Sequence, residues 1–379
     1  MASTPPASTW TTSWSASMAD PAATGPGFAE LYRRLVGETA LEHTLGLRFD
    51  GLGFRLRSDD AVLVDELRGY YGAFVDDALD GAEIEVQARQ DAAVEPPAGL
   101  EFTINPPGPG KTKLKEEFVE LDGGRLVRKR LTGMLFLFDG RTNLVCGPCR
   151  ENPNQVINFI NNRYSGRLLD GGALLLHAAG VARSERGLAL AGVSGAGKSS
   201  LALHLLRRGL DYISNDRLLL DPSPDGSLEL HGVPKLPRIN PGTALNNPAL
   251  REILPAERRR VYAELSPEEL WEIEEKYDVF VEELFGEGCF RLRAPFSALV
   301  ILNWRRGGGA VRLRPLELAP GHSLLPAFTK RPGVFHYPPS RLDSHDDTAY
   351  LERLAGRPVY ELVGGIDFER AAELCLELL

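Results

Sequence analysis

The residues best placed to do chemistry form one run, Gly192-Val193-Ser194-Gly195-Ala196-Gly197-Lys198-Ser199, followed by Ser200. It satisfies G-x-x-x-x-G-K-[ST] in full. Glycines at these positions let backbone N–H groups turn inward around phosphate oxygens without side-chain collision. A helix that begins at the loop adds its positive end. Lys198 then reaches the β and γ oxygens of a nucleotide, and the Ser199 hydroxyl ligates Mg²⁺. The apolar stretch before the run, LLLHAAGVARSERGLALA, reads as strands, and LALHLLRRGL after it has a helical rhythm. Strand, glycine loop and helix together predict nucleotide binding by residues 192–200, with ATP and Mg²⁺ as the cofactors.

A phosphate loop alone does not separate kinase, motor and switch. A phosphotransferase also needs a second metal ligand and a base for the acceptor hydroxyl proton. Three flanking residues fit. His177 lies on the strand before the loop, Asp216 follows the helix in Ser214-Asn215-Asp216, and Glu229 lies in LELHG. Ser199, Glu229 and Asp216 are the residues available to fill these needs. His177 also reads as a core histidine, Asp216 as a turn cap before Arg217, and Glu229 as a merely exposed acid between leucines. Lys235 and Arg238 are either surface charges or the cations that hold the transferred phosphate.

This arrangement resembles the HPr kinase/phosphorylase family, and more narrowly its HPr-kinase-related members of the B-type subgroup. The likeness spans residues 172–234. His177 precedes the loop at the family spacing, and the loop reads G-x-S-G-x-G-K-S. Arg208-Gly209 ends the helix like K-R-G, ISNDR stands for V-A-D-D-R, and LELHG for L-E-I-R-G. The resemblance implies a fold related to phosphoenolpyruvate carboxykinase, with Asp216 as base, Ser199 and Glu229 at Mg²⁺, and His177 beside the phosphates. Asn215 replaces the first Asp of the family pair, which weighs against reverse phosphorolysis. HGVPKLPRINPGT replaces the family's substrate-gripping stretch, and the C-terminal G-R-N segment has no counterpart, so HPr itself is not expected to be the substrate. The acceptor is therefore a protein serine or a small molecule. The alternatives are a small-metabolite kinase and a nucleotide sensor without turnover.

The rest of the chain must position these residues. It has 379 residues, 43% hydrophobic and 25% charged, enough to bury a substantial core. A net charge of -9 disfavours nucleic acid and anionic membrane as partners, and no apolar run approaches the roughly 18 residues of a span. The chain reads as cytoplasmic, and a homo-oligomer stays open. Residues 1–26 are rich in Ser, Thr, Ala and Pro without a basic start, so they read as a disordered tail; Met18 is an alternative start. Four cysteines make no disulfide framework. Cys146-Gly-Pro-Cys149 is either a redox dithiol or a turn, and the turn is favoured because no second pair or thioredoxin-like pattern accompanies it.

Residues 27–150 predict a smaller α+β domain with mainly antiparallel strands. A helix is expected over FAELYRRLVGETALEHTL, and strands over GLRFDGLGFRLRSD, EIEVQARQ, LEFTIN, RLVRKRLTGMLFLFDG and TNLVCG. The basic run Lys111 to Lys115 reads as a solvated face. Residues 151–379 predict an α/β domain of P-loop kinase type. Its expected elements are a helix over NPNQVINFINNRYSGRLLDGG, continuous strands over ALLLHAAGVA and LDYISNDRLLLDP, and strands over SLELHGVPKLPRIN, FSALVILNW and PVYELVGG. Residues 246–288 are expected to be helical, with a buried side of Trp271, Ile273 and Phe280, and FERAAELCLELL closes the chain as a helix.

Overall fold

A computed structural model describes residues 26–107, 112–266, 269–270, 273, 275–337 and 345–379. Nearly all of the expected tail, Lys111 and Trp271 lie outside these residues.

The first helix, α1 (Phe28–Val36), stops at Gly37, well short of the expected length. From His43 the apolar residues alternate, and a two-residue period suits a half-buried strand better than a helix. The result is the hairpin β1 (His43–Phe49) and β2 (Leu52–Ser58), which buries Leu45, Leu47, Phe49 and Phe54. Helix α2 (Ala61–Tyr70), which is not among the expected elements, is capped by Asp60, whose side chain accepts from the Leu63 N–H. It crosses over to β3 (Ile84–Gln90), parallel to β2. Then follow β4 (Thr103–Ile104), β5 (Glu116–Leu121), β6 (Gly124–Lys129), β7 (Leu135–Phe138) and β8 (Asn143–Gly147). The sheet order is β1-β2-β3-β8-β7-β6-β5-β4, parallel at β2–β3 and β3–β8 and antiparallel elsewhere.

Helix α3 (Pro153–Asp170) joins this sheet to the second. Tyr164 meets Phe49 and Phe54 edge-on, Phe159 meets Phe136, and Asn161 Oδ1 accepts from the Tyr71 hydroxyl. One buried apolar cluster runs from Leu45 through α3 to Cys375. Arg125 on β6 adds a distant tie, donating to the carbonyls of Val334 and His336. The two sheets thus share a core rather than hanging on a linker.

The second sheet contains β9 (Leu174–Leu176), β10 (Ala178–Arg183), β11 (Arg186–Ala191), β12 (Asp211–Ser214), β13 (Leu218–Pro222) and β14 (Leu228–Gly232). A separate ribbon of β15 (Arg238–Ile239) and β16 (Tyr277–Asp278) precedes β17 (Arg293–Leu302), β18 (Arg312–Pro315) and β19 (Val359–Val363). The order is β12-β10-β11-β17-β14-β13-β9, with β19 also on β17 and β18 on β19. Strands β11, β17 and β19 run parallel, and helix α4 (Lys198–Leu206) leaves from the carboxyl end of β11. The whole is a mixed α/β structure.

Three expectations change. The apolar run at 173–182 breaks at His177, because β9 pairs with β13 whereas β10 pairs with β11 and β12. The run at 210–222 breaks at Asn215–Arg217 for the same reason. Within 246–288, a short ribbon strand at Tyr277–Asp278 interrupts the expected acidic helix; Ile273 is half-buried and Phe280 is 40% exposed. No helix among the described residues is long and apolar enough to cross a membrane.

Candidate functional site

The loop between β11 and α4 bends where its glycines allow it. Gly195 and Gly197 have φ of +82° and +96°, a region that L side chains avoid. At Gly197 there is also no room, since a Cβ would lie 2.8 Å from the Phe368 ring. Phe368 packs edge-on against Trp304, and the Trp304 indole N–H donates to the Ala196 carbonyl at 2.7 Å. That hydrogen bond contributes about 1 kcal/mol and holds the loop from below. Lys198 is buried, and its ammonium donates to the Gly192 carbonyl at 2.7 Å. Desolvation pulls its pKa below the usual lysine value, partly offset by Asp216. Ser199 and Ser200 are half-buried on the first turn of α4, while Val193 and Ser194 are exposed.

Both strand breaks open at this loop. His177 leaves β9, Asp216 leaves β12, and His177 Nε2 lies 3.1 Å from Asp216 Oδ1. Lys330 closes the group from the other side, with its Nζ 3.3 Å from Asp216 Oδ2. The segment that brings Lys330 here is fixed by main-chain bonds. The Gly192 N–H donates to the Ala327 carbonyl, and the His177 N–H to the Phe328 carbonyl. The Tyr350 hydroxyl then clamps the Lys330 carbonyl at 2.8 Å. Desolvation works to raise the Asp216 pKa, but the His177 hydrogen bond and the Lys330 ammonium outweigh it and hold the carboxyl well below the ordinary aspartate range. The carboxylate is nonetheless 60% exposed, so a hydroxyl can reach it.

Lys235 and Arg238 part company. Lys235 is half-buried, with its Nζ 2.8 Å from Asn158 Oδ1 on α3, and Arg217 reaches Asn162 Oδ1 on the same helix at 2.8 Å. Arg238 is exposed on the β15–β16 ribbon, with its Nε 3.2 Å from Asp278 and Nη2 toward the Lys276 carbonyl. Its charge is spent there rather than at the loop.

Glu229 is not at the loop, and its expected metal role is corrected. From Asp216 the chain runs away along β13 and returns on β14, with Asp221 opposite Glu229 and Leu218 opposite Gly232. Glu229 therefore stands about 10 Å down the ladder from Leu218. It shares a cleft with Glu185 at the entry to β11, whereas Ser199 lies beyond that strand's exit. Its carboxylate pairs with Arg293 at 2.5 Å and lies 3.7 Å from His231. Ser199 and Glu229 cannot share one ion. Among the described residues no group of three or more His, Cys, Asp or Glu side chains is arranged to hold a metal.

Cys146 and Cys149 are both buried and free. Burial pushes the Cys146 thiol up to about 11 and Cys149 higher still, the reverse of an activated dithiol. Cys149 donates to the Arg89 carbonyl at 3.4 Å, and its N–H closes a tight turn onto Gly147.

Sequence reasoning missed Lys330, Asn158, Asn162 and Trp304. None belongs to the loop motif, and Lys330 is 114 residues from Asp216.

A solved structure similar to this chain is that of the Hpr(Ser) kinase/phosphatase from Coxiella burnetii. The two are 12% identical over 54% of this chain and 92% of that one, with a TM-score of 0.26. The likeness is distant. No family model matches the chain, and no curated protein matches it.

Proposed function

We propose that the chain is an ATP-dependent, Mg²⁺-requiring phosphotransferase of the HPr-kinase-related type, moving a γ-phosphoryl group to a hydroxyl acceptor. In this reading residues 151–379 are the kinase domain, related in fold to phosphoenolpyruvate carboxykinase, and residues 27–150 are the N-terminal domain. The observation that carries it is an ionised, reachable Asp216 carboxylate, held by His177 and Lys330, whose charge acts on Lys198 of the glycine loop.

The residues fit the nucleotide. Gly195 and Gly197 turn the loop with no Cβ of their own, α4 points its N-terminal end at it, and Lys198 is anchored on the loop carbonyls from which it can turn to phosphate oxygens. For Mg²⁺ the fit is a single protein donor, the Ser199 hydroxyl, in keeping with an ion held mostly by phosphates and water. When bound, that ion supplies charge neutralisation.

Asp216 orients the acceptor hydroxyl and takes its proton. A carboxylate held this acidic is a weak base, yet phosphoryl transfer through a loose transition state asks little of the nucleophile's proton until late. His177 keeps the carboxylate in one rotamer. Since an ionised carboxylate only accepts, the hydrogen of this pair is on His177 Nε2. Lys330 adds positive charge beside the path of the moving phosphoryl group.

Titrating the full chain with ATP·Mg²⁺, as wild type and Lys198→Ala, tests the reading. Loss of affinity by about tenfold or more with an unchanged melting temperature is expected. Equal affinity removes the nucleotide from this loop.

A further inference from the structure

Arg217 and Lys235 lie side by side, half-buried, and both end on neutral amides. Lys235 Nζ is 2.8 Å from Asn158 Oδ1, and Arg217 Nη1 is 2.8 Å from Asn162 Oδ1. The two asparagines are four residues apart and share one face of α3. The acids that face these cations are engaged elsewhere. Asp216 is held by His177 and Lys330, Asp278 by Arg238, and Glu116 by Lys129. The Lys235 backbone is also fixed: its carbonyl accepts from the Tyr212 hydroxyl, and the next N–H, of Leu236, donates to the Tyr70 hydroxyl. Two confined like charges without a paired carboxylate cost free energy, and an anion placed between them recovers it. Burial and the Arg217 guanidinium together push the Lys235 ammonium down to about 8, in keeping with charge that lacks a partner.

We infer that Arg217 and Lys235, backed by Asn158 and Asn162, form an anion pocket beside Asp216 that holds a phosphate or carboxylate group of the acceptor. The pocket stands on this geometry alone; that its occupant is the acceptor rests on the phosphotransferase reading. The acceptor is then an anionic hydroxyl compound or an acidic or phosphorylated segment bearing the hydroxyl. The negative group sits in the pocket, and the hydroxyl faces Asp216. The γ-phosphate belongs to the glycine loop, a separate anion site.

Calorimetric titration of the full-length Lys198→Ala variant with inorganic phosphate and, separately, with malonate isolates the pocket from the loop. One anion site should remain. Adding Lys235→Met should weaken it about tenfold or more, the loss expected for a charge-assisted bond. Adding Asn158→Asp should do the same without removing a cation, because the new carboxylate occupies Lys235; this near-isosteric change also keeps the test alive if Lys235→Met fails to fold. Adding Lys235→Arg should retain binding within a few-fold. Preference for phosphate assigns a phosphate-bearing acceptor, and preference for malonate a carboxylate-bearing one. No anion binding by Lys198→Ala, or binding unaltered by both Lys235→Met and Asn158→Asp, overturns the pocket. Wild-type ATP affinity, measured separately, decides the loop reading on its own.

Discussion

His177 Nε2 and Asp216 Oδ1 stand 3.1 Å apart because two strands end where the sheet changes partners. The pairing of β9 with β13 and of β10 with β12 sets this distance, and the lowered proton affinity of Asp216 follows in part from it. With Lys330 on the second oxygen, the folded-state pKa is lowered. A lowered carboxylate stays ionised down to its folded value, while the stability it contributes is complete above the ordinary aspartate pKa of the unfolded chain and is lost progressively as pH falls from there to the folded value. Activity should therefore show no Asp216 limb through the ordinary carboxylate range, whereas the Asp216 contribution to stability should decline there as the unfolded chain takes up its proton. His177→Ala and Lys330→Ala should each raise the Asp216 pKa toward about 3.9. Carboxyl-carbon NMR titration reads this directly, and an unmoved Asp216 resonance in both variants would show that these contacts do not set its charge.

Glu229→Gln should leave the Mg²⁺ dependence of nucleotide binding as it is. The residue pairs with a half-exposed Arg293, so its loss costs about 1 kcal/mol or less. ATP titrations across Mg²⁺ concentrations, compared with a urea melt, separate the two effects. A weakened Mg²⁺ dependence would return Glu229 to the metal.

Cys146 and Cys149 should resist thiol reagents in the native protein, since both are buried and pushed toward the thiol form. Disulfide-exchange labelling should be slow until denaturant is added. Cys149→Ser should cost about 1–3 kcal/mol by burying a hydroxyl, with nucleotide binding indifferent to reductant. Rapid native labelling would contradict the turn assignment.

What was legible in the sequence is what neighbours along the chain determine. The loop from Gly192 to Ser199 is local, so its strand, turn and helix could be read from glycine spacing and apolar rhythm. His177 and Asp216 were legible as candidates, yet the strand breaks that expose them were not, because ALLLHAAGVA and LDYISNDRLLLDP look continuous until pairing divides them. Glu229 shows the opposite failure. Thirteen residues after Asp216, it seemed near, but an antiparallel excursion along β13 carries it to the other end of the ladder. Lys330 arrives through the Leu176–Thr329 bridge and the Phe328 carbonyl, a contact set by sheet topology with no mark in its own FTKRP surroundings.

The central claim is that Asp216 activates a hydroxyl for transfer from a nucleotide held at the glycine loop. Purified wild type and Asp216→Asn, incubated with γ-labelled ATP, Mg²⁺ and a cell extract, test it most directly. The amide keeps the size of the side chain but cannot take a proton near neutral pH. Labelled acceptor should form with the wild type and fall roughly 10²- to 10⁴-fold with Asp216→Asn, while ATP affinity stays within a few-fold. Equal labelling by both proteins, or no ATP-derived label with either, contradicts the account.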